Sequence, residues 1–151
     1  MKKNVLIGAF LMYLTVFVLI AVFSVSSCSS EEDQLIGKWQ RYDDYAEGTV
    51  IEVKRMNDNT LQGWLVTVSN EMQNNGFVVG DIKWIEITSK RLNYYESKDL
   101  VKKIDPKTGQ VAGTDYEKIQ MELVATDLLS LRPVASTGTG YRQKWKRLQT
   151  E

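Results

Sequence analysis

Two hydrophobic patterns divide the chain. Residues Val5 to Val25 are predominantly apolar, whereas from Ile36 onward apolar and polar residues alternate in short runs. Alternation with period two marks a strand, because successive side chains point to opposite faces. Lys118-Ile119-Gln120-Met121-Glu122-Leu123 follows it without a break. Eight runs, mostly rich in β-branched and aromatic residues, are predicted as strands: Ile36–Tyr42, Thr49–Met56, Thr60–Ser69, Asp81–Thr88, Arg91–Ile104, Asp115–Val124, Leu128–Val134 and Gly140–Leu148. Turn chemistry separates them at Asn57-Asp58-Asn59, Asn74-Asn75-Gly76, Asp105–Gly109 and Thr137–Gly140. Pro133 cannot donate to a ladder, so pairing of the seventh run is expected to stop early. The pattern predicts an all-β fold with almost no helix: an antiparallel up-and-down barrel of about eight strands, or failing that a sandwich.

The N-terminal segment reads differently. Lys2 and Lys3 precede the apolar run, and Ser24-Val25-Ser26-Ser27 lead into Cys28, the only cysteine. This arrangement resembles the lipobox of bacterial lipoprotein signal peptides, which implies removal of residues 1–27 and lipid on Cys28. The run is longer than the usual secretory core of about 7–15 residues, so an uncleaved helical anchor with cytoplasmic lysines is the second reading. Both readings tether the rest of the chain to a membrane. Residues 28–35, with Glu31, Glu32 and Asp33, have little apolar surface and are expected to form a lipidated, solvated acidic tether. The acidic run is similar to the signal that sends Bacteroidetes-type lipoproteins to the outer face of the outer membrane, and Ser29 is unlike the usual inner-membrane retention residue. The expected location is therefore the cell envelope, in the outer membrane and up to the cell surface. A plain solubilising spacer explains the run equally well.

Charge narrows the partners. The chain has 19 basic and 19 acidic residues, and loss of Lys2 and Lys3 with the signal segment leaves a small negative excess. Nucleic acid, which needs a basic face, is not expected as a partner. Residues 36–149 suit one domain, and no disulfide can support it.

At the two ends of that domain the residues point to a family. Ile36-Gly37-Lys38-Trp39 resembles the Gly-x-Trp signature on the first strand of lipocalins and their calycin relatives, and Trp145-Lys146-Arg147 resembles their closing strand. The resemblance implies that Arg147 stacks over Trp39 as a structural closure pair, a cation–π contact worth about 0.5–2 kcal/mol. Gly76-Phe77-Val78-Val79-Gly80-Asp81-Ile82-Lys83-Trp84 is similar to a Gly-Phe-x-x-Gly-Asp-x-x-Trp stretch of uncharacterised bacterial lipocalin-like domains. Thr114-Asp115-Tyr116 resembles the middle lipocalin motif, although it falls at a predicted strand start. No helix is predicted after the barrel, unlike standard lipocalins, so the resemblance is to a minimal relative. The implied function is binding of a small hydrophobic molecule.

Link lengths add an orientation without reference to any family. Odd-numbered links are long (43–48, 70–80, 105–114, 135–139) and even-numbered ones short (57–59, 89–90, 125–127). In an up-and-down barrel the long links gather at one rim, where binding residues usually sit. The tether enters at the other rim, so the long-loop mouth is expected to face away from the membrane.

Candidate ligand-binding residues are Tyr42, Trp64, Phe77, Trp84, Tyr116, Met121 and Tyr141. Tyr45 and Met72 lie near the same mouth, and Ile51, Val53 and Leu123 lie deeper. A barrel of this size either fills with its own side chains or holds one small ligand. The alternatives are therefore a carrier and a surface-exposed module that contacts a protein or glycan. The chain has no histidine, which excludes Ser–His and Cys–His nucleophile pairs and a histidine metal site. Asp43, Asp44, Glu47, Asp81, Asp105 and Asp115 cluster near the mouth, but their spacing matches no calcium loop. No enzyme activity, metal or cofactor is expected.

Overall fold

The computed structural model describes residues 30–134 and 142–149. Eight antiparallel strands close into one barrel in sequence order: β1 (Gly37–Tyr42), β2 (Val50–Arg55), β3 (Leu61–Thr67), β4 (Ile82–Arg91), β5 (Tyr94–Ile104), β6 (Val111–Ala125), β7 (Leu128–Pro133) and β8 (Gln143–Arg147). A 3₁₀ helix at Glu31–Leu35 precedes β1, and a short helix α1 (Asn70–Asn74) lies between β3 and β4. Closure pairs Trp39 with Arg147 and Arg41 with Trp145, which leaves no open sheet edge among the described residues.

Every second residue of the regular runs points inward, as the alternation predicts. Trp39, Ile51, Val53, Leu61, Leu65, Tyr95, Met121, Leu129, Leu131 and Trp145 are buried in one core. Trp84 meets Trp145 edge to face, with ring centroids 5.0 Å apart. Gly63 makes room for this contact, since a Cβ there would lie 2.8 Å from Trp84 Cε3 and 3.0 Å from Ile51 Cγ2. Pairing shifts at this point: Gly63 faces Trp84, but Trp64 faces Ile82, leaving Lys83 as the extra residue of a bulge. A bulge breaks the alternation, and both Lys83 and Trp84 are buried.

Strand limits differ most from the sequence expectation around the β4–β5 turn and at the start of β6. β4 runs on to Arg91, which pairs with Tyr94, so the tight turn is Leu92-Asn93 rather than Ser89-Lys90. Asn93 supplies the positive φ of 64° that this turn requires. β6 begins at Val111, so Thr114-Asp115-Tyr116 lies within a strand and the preceding link shrinks to residues 105–110. Among the described residues the longer links (43–49, 68–81 and 105–110) still lie opposite the shorter ones (56–60, 92–93 and 126–127).

The acidic segment departs furthest from the sequence expectation. Residues 30–35 are not a solvated tether; they seal the short-turn end of the barrel. Leu35 is fully buried, and its carbonyl accepts from Trp39 Nε1 at 2.8 Å. Tyr95 Oη donates to Glu31 O at 2.9 Å, and Ser89 donates its N–H to Glu32 Oε1 and its hydroxyl to Glu31 Oε2. Asp33 accepts from Ser30 N and pairs with Arg55 at 2.6 Å. Hydrogen bonds and the single buried side chain of Leu35 hold this plug, so its polar composition concealed it. Burial, with Glu31 and Glu32 nearby, raises the Tyr95 pKa. Cys28, the apolar run, Tyr141 and the 135–139 link lie outside the described residues.

Gly63→Ala is expected to cost about 1–3 kcal/mol by overpacking, read as a lower urea midpoint; an unchanged midpoint would contradict the packing described. The Arg55 hydrogen bond holds the Asp33 carboxyl below its usual pKa of 3.8. A depressed native pKa gives stability that is present above the unfolded value and lost as pH falls through the native one. Wild type should therefore lose more thermal stability than Asp33→Asn between about pH 5 and pH 2. Parallel melting curves across that range would show the plug's ion pair to be inert.

Candidate functional site

The long-loop mouth is a recess of about 300 Å³ whose wall combines charged and apolar groups. Inward positions at the top of β1, β5 and β6 bring Arg41, Asp99 and Glu117 into it, and the β4 bulge adds Lys83. Lys83 Nζ donates to Leu100 O and lies 2.8 Å from Asp99 Oδ1. The ammonium approaches that oxygen at an angle that gives an ion pair without an aligned hydrogen bond. Both side chains are less than 10% exposed (5% and 8%), so this pair lies inside the barrel. Arg41 Nε bonds Asp44 Oδ2 at 2.7 Å, and its guanidinium lies 5.7 Å from the Trp145 ring and 5.1 Å from Tyr45. Charged residues therefore begin directly above the tryptophan layer.

The link between β3 and β4 covers one side of this recess. Ser69 caps α1 by accepting from Met72 N at 3.4 Å, and its hydroxyl accepts from Thr49 Oγ1 at 3.1 Å. Met72 points into the core. Gly76 has φ +78°, and a Cβ there would meet Val111 Cγ2 at 2.2 Å, so this close crossing of the β5–β6 hairpin requires glycine. Lys102 bonds Gly76 O at 2.8 Å and pairs with Asp81 at 2.6 Å, while Asp81 also accepts from Val78 N. Phe77 lies between two ammonium groups, 4.8 Å from Lys83 and 5.2 Å from Lys102.

The residues proposed from sequence scatter across four environments. Phe77 stands at the recess. Trp84 and Met121 are fully buried in the filled core below it. Trp64 alternates with inward Leu61, Gly63 and Leu65, so it lies on the outer wall. Tyr42 is outward as well, paired with Lys144. Tyr116 is on the outer face beside Leu100, with its hydroxyl donating to Ile82 O at 2.9 Å; burial, followed by Asp81 and Asp99, raises its pKa. Tyr141 lies outside the described residues. Of the deeper positions, Ile51, Val53 and Leu123 are buried. At the opposite end, the Arg147 guanidinium lies 4.2 Å from the Trp39 ring centroid.

Sequence reading missed Arg41, Lys83, Asp99 and Lys102. Arg41 stands two residues after Trp39, and Asp99 four after Tyr95, so alternation places both inward. Lys83 had no such signal, because only the bulge turns it in. Most mouth carboxylates serve structure: Asp43 pairs with Lys144, Asp44 with Arg41, Asp81 with Lys102 and Asp115 with Lys103. The Lys144 hydrogen bond lowers the Asp43 pKa, and the Tyr116 backbone N–H, then Lys103, lower that of Asp115. Glu117, directly across the ladder from Asp99, has no ion-pair partner among the described residues. Gln143 Oε1 is buried without a hydrogen-bond partner among them.

No protein-family model, curated protein or solved structure matches this chain.

Asp99→Ala should destabilise the barrel by about 3–5 kcal/mol, because it leaves the Lys83 ammonium buried without its counter-charge. Lys83→Met with Asp99→Leu should restore most of that loss in the same denaturant titration. If the double variant is as unstable as the single one, the ion pair is not what couples these positions.

Proposed function

We propose that this chain is a lipoprotein of the outer membrane, anchored through lipid on Cys28, whose filled barrel is a rigid scaffold for a recognition surface at the long-loop mouth. The partner is a protein or glycan outside the membrane. One observation carries this reading: Trp39, Trp84, Tyr95, Met121 and Trp145, each at most 1% exposed, occupy the space in which a small hydrophobic ligand would sit. That filling supports the interaction module over the carrier that the lipocalin-like resemblance implies, since fold likeness alone is weak support for function.

The mouth offers what such a surface needs. Its recess is at the lower end of the usual ligand range of about 300–1,000 Å³, and Arg41, Lys83, Asp99 and Glu117 line it. Around it Tyr45, Val78 and Val79 are 57–65% exposed. Grouped exposed apolar residues rimmed by charge are typical of interaction sites. The anchor itself rests on the Lys2-to-Cys28 pattern.

Tryptophan fluorescence distinguishes scaffold from carrier. Titration with palmitate or anilinonaphthalene sulfonate should give no saturable quenching. Stoichiometric binding with quenching of the core tryptophans would sink the scaffold reading and restore the carrier.

A further inference from the structure

The sealed end of the barrel has a geometric consequence for the membrane. The first described residue, Ser30, is already held: its carbonyl accepts from Asp33 N at 2.9 Å, and its hydroxyl accepts from Arg55 Nη2 at 3.1 Å. Only Ser29 separates it from Cys28. Two extended residues span about 7 Å, and the headgroup layer on each face of a bilayer is about 5–8 Å deep. A cysteine whose acyl chains lie in the hydrocarbon region therefore cannot hold the barrel clear of the surface. The short-turn rim must meet the headgroups.

That rim carries side chains suited to the contact. Leu92 occupies the tip of the two-residue β4–β5 turn and is 64% exposed. Such tips normally take Gly, Asn, Asp or Ser, which solvate well. Val124, 62% exposed, lies at the neighbouring β6–β7 turn. The two turns are joined, since Leu123 N donates to Asn93 O at 2.9 Å. Arg91, exposed beside Leu92, stacks its guanidinium 4.0 Å from the Tyr94 ring centroid, a posture that leaves in-plane donors for phosphate oxygens. Exposed apolar residues also occur at the mouth, so exposure alone does not choose between the rims. The tether does: its fixed end is bound to β2, β4 and β5 at the short-turn rim.

We propose that the short-turn rim is a membrane-docking surface, with Leu92 and Val124 entering the headgroup layer and the barrel seated on the bilayer rather than swinging on a leash. The proposal rests on the lipid anchor at Cys28. Because Cys28 is the only cysteine, a lipidated chain has no other thiol, and Leu92→Cys, Val124→Cys and Val79→Cys each accept a single nitrobenzoxadiazole label. The full chain, purified from membranes, is reconstituted in vesicles of phosphatidylethanolamine and phosphatidylglycerol containing doxyl-labelled lipid. Labels at 92 and 124 should be quenched by the lipid at least about twofold more than the label at 79, and shielded from aqueous iodide. Equal quenching at all three positions, or stronger quenching at 79, overturns the proposal while leaving the anchor intact. The anchor is read separately, by intact mass and by flotation with the vesicles. An unlipidated chain that fails to float removes the tether and overturns the anchor and the docking surface together.

Discussion

Arg147 is the point on which the barrel closes. Its guanidinium covers the Trp39 ring at 4.2 Å, which ties the last strand to the first. The same group donates to Gln34 O, to Ile36 O at 2.7 Å and to Thr126 O at 3.1 Å. One side chain thus joins β1, β8, the β6–β7 turn and the end of the 3₁₀ plug. Guanidinium suits this task because it offers several in-plane donors while its face stacks on an indole. Burial lowers its pKa, as expected for a charge partly removed from water.

Above that seal the interior is layered by chemistry. Trp39, Trp84 and Trp145 occupy the middle, and the buried pairs Lys83–Asp99 and Arg41–Asp44 lie toward the mouth. The transition happens within one β4 step, because the bulge turns Lys83 to the same side as Trp84. Core packing and mouth charge therefore depend on one irregularity. Gly63 is its counterpart on β3, since the bulky indole fits only where its neighbour has no side chain.

The barrel was legible in the sequence because it is written in alternation. Eight strands, their order and the opposition of long and short links all follow from period two and turn residues. The Gly76–Trp84 stretch was legible as a unit, and it forms the wall of the mouth and its descent into the core. Individual side-chain directions were less accessible. Trp64 reads as interior from its aromatic character, yet its neighbours Leu61, Gly63 and Leu65 take the inner face and force it outward. Lys83 reads as exterior and is buried because a bulge adds one residue. The plug was hidden for another reason: composition reports apolar area, whereas Glu31, Glu32 and Asp33 fold through specific hydrogen bonds to Ser89 and Arg55. The mouth charges needed only a stricter use of alternation at Arg41 and Asp99.

The way the 3₁₀ helix is fastened also has a mechanical meaning. Its bonds run to Arg55 on β2, Ser89 on β4, Tyr95 on β5 and Arg147 on β8. A pull applied at the N-terminus is therefore shared among four strands instead of peeling β1 from its neighbours one ladder bond at a time. For any load applied at that end, the plug acts as a strain relief: the force passes into a distributed collar and spares the seam between β1 and β8.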